Sequence, residues 1–139
     1  MTLRVALVFA WIGAAAVGVQ AQEVPEAVLR AQAERVAVMQ RASSTAVCVF
    51  ADGGTNGGSG VVISPDGYVL TNFHVAKPAG DWMKCGMADG RLYDGVLVGL
   101  DPVGDVALIK LLGRNDFPHA PLADSDRVQL GDWVFCVGN

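Results

Sequence analysis

Two residues in this 139-residue chain stand where acid–base chemistry is done. His74 closes the stretch Tyr68-Val69-Leu70-Thr71-Asn72-Phe73-His74-Val75, at the end of an apolar strand where the chain must turn. Thirty-one residues on, Asp105 opens Val106-Ala107-Leu108-Ile109-Lys110, another strand-like run. A carboxylate at the lip of an apolar strand needs a hydrogen-bond partner. An imidazole N–H is a natural one, and the contact fixes the tautomer of the ring. Such a pair takes a proton from a hydroxyl nucleophile and steadies the imidazolium that forms. Taken singly, His74 reads as a structural histidine and Asp105 as a turn residue capping its own loop. Phe73 tips the balance: it can anchor inward while Asn72 and His74 face out, as a general base requires.

The other candidates are weaker. His119 lies between Pro118 and Pro121 in a loop and is assigned no chemistry. Asp66, Asp89 and Asp101 read as turn residues, and Asp124 and Asp126 as solvated charges. Ser59 sits between glycines in Asp52–Gly60, which reads as a flexible hairpin loop. The same loop lacks the Gly-Lys-Ser/Thr ending and following helix of a phosphate-binding loop. Cys48, Cys85 and Cys136 match no zinc spacing and read as small buried hydrophobes, with one bridge left open. No metal site and no cofactor follow from these residues.

Short strands must position the pair. Ala46–Phe50, Gly60–Ser64, Tyr68–Thr71, Trp82–Ala88, Leu92–Leu100, Asp105–Leu111 and Val128–Val137 are separated by turn chemistry. Ser64-Pro65-Asp66-Gly67 and Asp89-Gly90 are the clearest turns. In Trp82–Ala88, Met83, Cys85 and Met87 share a face. In Leu92–Leu100, Val96 and Val98 do. Ala76–Asp81 and Gly113–Asp126 read as loops. About seven strands of this kind predict a small antiparallel barrel. Ahead of it, Val24–Ala42 reads as a helix with Val28, Leu29, Val36 and Met39 on one side, ended by Ser43-Ser44-Thr45.

Hydrophobic residues make up 52% of the chain, too many for disorder. The net charge of −4 carries no basic patch, which argues against nucleic acid. Arg4, the charge-free run Val5–Val19 and Val19-Gln20-Ala21 form a secretory signal cut after Ala21. The protein is therefore expected outside the cytoplasm, periplasmic or extracellular, with no membrane contact after cleavage.

Gly58-Ser59-Gly60-Val61-Val62-Ile63-Ser64-Pro65-Asp66-Gly67 followed by Tyr68–Val75 resembles the histidine block of HtrA/Deg-type trypsin-like serine proteases. Asp89-Gly90-Arg91, Val98-Gly99-Leu100-Asp101 and Gly104–Lys110 resemble that family's aspartate block. Leu122–Asp126 and Gly131–Asn139 resemble the segment closing its first barrel. The resemblance implies an all-β fold: the first six-to-seven-stranded antiparallel barrel of a trypsin-like double β-barrel, preceded by a short helix. Residues 1–21 are then signal, 22–43 helix and linker, and 44–139 the first barrel, incomplete at its C-terminus. It also implies a serine endopeptidase of exported or misfolded polypeptides, with His74 as general base and Asp105 as its orienting carboxylate. The order His…Asp fits this class. A homo-oligomer is left open.

The family's Gly-Asn-Ser-Gly-Gly nucleophile block is not in this sequence. Ser43, Ser44, Ser59, Ser64 and Ser125 all lie in other contexts. The expectation is a piece that is inactive alone. The alternative is a non-catalytic exported barrel that binds peptides or partners.

Overall fold

The computed structural model describes residues 23–51 and 57–138. The predicted signal, residues 1–21, lies outside the described residues. Helix α1 (Glu26–Thr45) leads into strands β1 (Ala46–Phe50), β2 (Gly57–Val62) and β3 (Tyr68–Thr71). A short helix, α2 (Phe73–Ala79), precedes β4 (Trp82–Met87), β5 (Leu92–Asp101) and β6 (Val106–Leu111). The six strands close in the order β1-β2-β3-β6-β5-β4, every pair antiparallel.

Alternation builds the interior. Val47 and Val49 of β1, Val69 of β3, Met83 and Cys85 of β4, and Ile109 and Leu111 of β6 all point inward. Burial pushes the Cys85 thiol up to about 12, with Cys48 nearby adding to the effect. Of the three cysteines expected to be buried, only Cys85 is; Cys48 is half-buried and Cys136 exposed.

The turn before β3 forms as its residues dictate. Gly67 N–H donates to Ser64 O at 3.0 Å, and Tyr68 N–H to Ser64 Oγ at 3.0 Å. Gly67 has φ +94°, and a Cβ there would meet Phe117 at 2.8 Å and Leu111 O at 3.1 Å. Gly67→Ala combines a left-handed backbone with overpacking, and is expected to cost about 2–4 kcal/mol. Equilibrium urea unfolding measures it; a loss under about 1 kcal/mol would remove Phe117 as the neighbour that fixes this turn.

Several expectations are corrected. Residues 57–59, read as loop, belong to β2, because Gly57, Gly58 and Ser59 pair in register with Phe50, Val49 and Cys48. Residues 76–79, also read as loop, complete α2, because Ala76 and Ala79 bury one helical face on the barrel. Helix α1 runs on through Ser43-Ser44-Thr45. Ser44 Oγ and Thr45 Oγ1 donate to carbonyls three residues back, at 2.7 and 2.8 Å, so these residues finish the last turn instead of breaking it. Its predicted apolar side is largely exposed. In β5 Tyr93 and Gly95 point inward and Leu97 packs against the core, so Val96 and Val98 fall on the other face, Val98 exposed; pairing shifts between Leu97 and Gly99. Val128–Val137 forms no strand: a closed barrel presents no edge for it to pair with. Instead Trp133 lies beneath the Arg35 guanidinium of α1, 5.2 Å from it.

Candidate active site

Strand pairing carries the site. β3 and β6 run side by side with Thr71 opposite Ala107. The chain leaving β3 and the chain entering β6 are thus neighbours at one end of the barrel. Thr71 Oγ1 donates to Ser59 O at 2.8 Å and ties this end to β2. Gly58 lets α2 come close: a Cβ at that position would lie 2.5 Å from Val75 Cγ2.

His74 occupies the first turn of α2, three residues past the end of β3 and not at the strand end itself, as the sequence implies. Asp105 is in the turn before β6 and not in the strand. Asp101 shapes that turn, its Oδ1 accepting from the Val103 and Gly104 N–H groups at 3.0 Å each. Asp105 itself has φ +53°, a left-handed conformation that aspartate tolerates better than most residues.

The two side chains meet. His74 Nδ1 lies 2.8 Å from Asp105 Oδ2, and the His74 backbone N–H donates to Asp105 Oδ1 at 3.0 Å. Asn72 Nδ2 donates to Asp105 O at 3.0 Å and to Oδ2 at 3.3 Å. A carboxylate facing Nδ1 favours the tautomer with the proton on Nδ1 and the lone pair on Nε2. The His74 side chain is 69% exposed and Asp105 43%, so the ring remains open to an incoming group. A cleft of about 300 Å³ beside it is lined by Gly58, Ser59, Asn72, His74 and Val75. The arrangement can accept a proton at Nε2 and stabilise the cation that results.

The Asp105 carboxyl is held below its ordinary 3.8, first by the His74 backbone N–H, then by the imidazole, with a smaller part from Asn72. A depressed folded value means that the contact contributes stability above the unfolded value and loses it as pH falls through the lower folded one. The His74–Asp105 contact is thus expected to persist down to pH 3.8 and to fail only in stronger acid. Carboxyl ¹³C NMR reads the midpoint; one at or above 3.8 would contradict the observed hydrogen bonding.

His119, assigned no chemistry, is exposed, with Nδ1 3.2 Å from Phe117 O. Asn72 was legible only as an outward residue; its one signal is its place two positions before His74.

A family model described as a trypsin-like peptidase domain matches residues 58–139. The chain belongs to this family. Both members of the pair fall within the matched span of this trypsin-like peptidase chain. A second model, Peptidase S46, matches residues 10–79 and so covers His74 but not Asp105. Among curated relatives, the chain is 42% identical over 82 residues to the Chlamydia muridarum protein named Probable periplasmic serine endoprotease DegP-like. That alignment covers 59% of this chain and 16% of the relative. It is 38% identical over 106 residues to the Periplasmic serine endoprotease DegP of Escherichia coli, covering 69% and 22%. A crystal structure of the serine endoprotease from Yersinia pestis superposes with a TM-score of 0.61 at 31% identity, over 79% of this chain and 38% of that one. The chain thus spans about a fifth of the length of the curated relatives it matches. The all-β fold with one closed antiparallel barrel behind a helix is the fold the resemblance implied.

Proposed function

We propose that this chain supplies the base half of a serine endopeptidase that cleaves polypeptides outside the cytoplasm. The observation that carries the reading is the 2.8 Å contact between His74 Nδ1 and Asp105 Oδ2, with the rest of the ring open to solvent. His74 is the general base. Its Nε2 takes the proton of a serine hydroxyl as the oxygen attacks a peptide carbonyl. It then returns that proton to the leaving amine nitrogen as the C–N bond breaks. Asp105 keeps the proton on Nδ1 and offsets the positive charge of the imidazolium. The serine and the donors for the tetrahedral oxyanion come from a second barrel, and residues 1–139 do not hydrolyse peptides alone. Export rests on the sequence of residues 1–21 and is supported by relatives named periplasmic.

A fluorophosphonate probe tests this on the intact exported protein, with mass spectrometry to locate the adduct. Labelling of a serine in a Gly-Asn-Ser-Gly-Gly block, lost in His74→Ala, is the expected result. An intact protein that carries such a block and resists labelling under varied activating conditions would leave the non-catalytic binding barrel as the better reading.

A further inference from the structure

Asparagine is among the best residues for capping a helix N-terminus, because its side-chain oxygen accepts from an N–H in the first turn. Asn72 stands at that position of α2, yet its side chain makes no capping bond. Its Nδ2 is turned the other way, onto Asp105 O at 3.0 Å and Asp105 Oδ2 at 3.3 Å. The N–H that a cap would satisfy, that of His74, is taken by Asp105 Oδ1 at 3.0 Å. The two residues have exchanged duties. A carboxylate from a distant turn caps the helix, and the residue in the cap position holds the carboxylate.

We propose that Asn72 is a positioning residue for the His74–Asp105 pair, fixing the carboxylate plane so that Oδ2 faces His74 Nδ1. The inference rests on the reading of that pair given above. Three donors converge on Asp105: the His74 backbone N–H, the imidazole and the Asn72 amide. Removing the amide leaves two of the three donors, both from His74, and the carboxylate is held less firmly in its plane. The Asn72 bond to Asp105 O also clamps a backbone held at φ +53°. Loss of that clamp lets the turn relax and carries Oδ2 away from the ring. Asn72 touches none of the reacting atoms and acts only through Asp105.

The test uses the exported protein, uniformly ¹⁵N-labelled, with His74→Ala to assign the His74 signals. In the unsubstituted protein near neutral pH, the ¹⁵N shifts should report a ring protonated on Nδ1. In Asn72→Ala the ratio of Nδ1–H to Nε2–H forms should fall about tenfold, the scale of one lost hydrogen bond to a charged group. Hydrolysis should fall about tenfold in kcat with KM within about twofold. A ring on Nε2–H in the unsubstituted protein would sink the His74–Asp105 reading itself. A ring on Nδ1–H that is unchanged by Asn72→Ala would leave that reading standing and overturn the role of Asn72. Should Asn72→Ala fail to fold, the unsubstituted protein still decides through its acid titration. The Asn72 Nδ2 protons should shift together with the His74 backbone amide as Asp105 takes its proton. Side-chain protons that stay fixed while that amide moves would overturn the inference.

Discussion

In the intact exported protein, with the serine proposed above in place, His74→Ala is expected to lower kcat for peptide hydrolysis by about 10⁴-fold or more, with little change in KM. The argument is local. The substitution removes the one group that can take a proton beside Asp105 but keeps the backbone N–H that donates to Asp105 Oδ1. The side chain is mostly exposed, so its loss opens no cavity, and stability should change by about 0.5 kcal/mol or less. Asp105→Asn should be nearly as damaging to turnover for a different reason. An amide can present its NH₂ to Nδ1 and select the tautomer with no lone pair on Nε2. Single-turnover kinetics with an ester and an amide substrate separate the two steps of the reaction. A His74→Ala protein that still acylates at a tenth of the normal rate would refute the base assignment. If it lost activity together with its cooperative unfolding transition, His74 would be structural.

The largest expected effect on stability lies at the opposite end of β3. Phe117 is 2% exposed and packs edge-on to Tyr93, with ring centroids 5.0 Å apart at 73°. Its N–H donates to Pro65 O at 2.9 Å, and Ala120 N–H to Val62 O at 2.8 Å. The Arg114 guanidinium stands 5.3 Å from its ring and bonds Asp116 at 2.6 Å. The ring closes the barrel's lower mouth under Gly67. Phe117→Ala should cost about 3–5 kcal/mol, because it removes a buried ring packed on Tyr93 and the Gly67 turn and leaves a cavity there. Denaturant unfolding with an unchanged m-value checks this. A loss below about 1.5 kcal/mol would mean that the loop folds onto the barrel through its backbone bonds alone.

What the sequence made legible was whatever repeats or is spelled locally. Val47/Val49 and Met83/Cys85 alternate, and Ser64-Pro65-Asp66-Gly67 carries its own turn instructions, so β1, β3, β4 and the hairpin were readable. The histidine and aspartate blocks were readable because each is contiguous. Features that depend on another part of the chain were hidden. Phe117 looks like an ordinary loop residue until Gly67 and Tyr93 are placed beside it. Helix α2 has seven residues and contains Pro78, so its own propensity is poor; the barrel wall that buries Ala76 and Ala79 makes it form. Val128–Val137 has strand-like residues but no neighbour to pair with. The diversion of Asn72 from cap to clamp is a contact across 33 positions, and no local pattern encodes it.

His74 and Asp105 are joined within a single sheet, through adjacent strands and the turns at their ends. That wiring makes the pair a property of one folding unit. Domains generally fold as units. Once β1 to β6 have closed, His74 and Asp105 stand together with no contribution from outside this barrel. Under the function proposed above, control of activity then falls to the parts that supply the serine and the oxyanion donors.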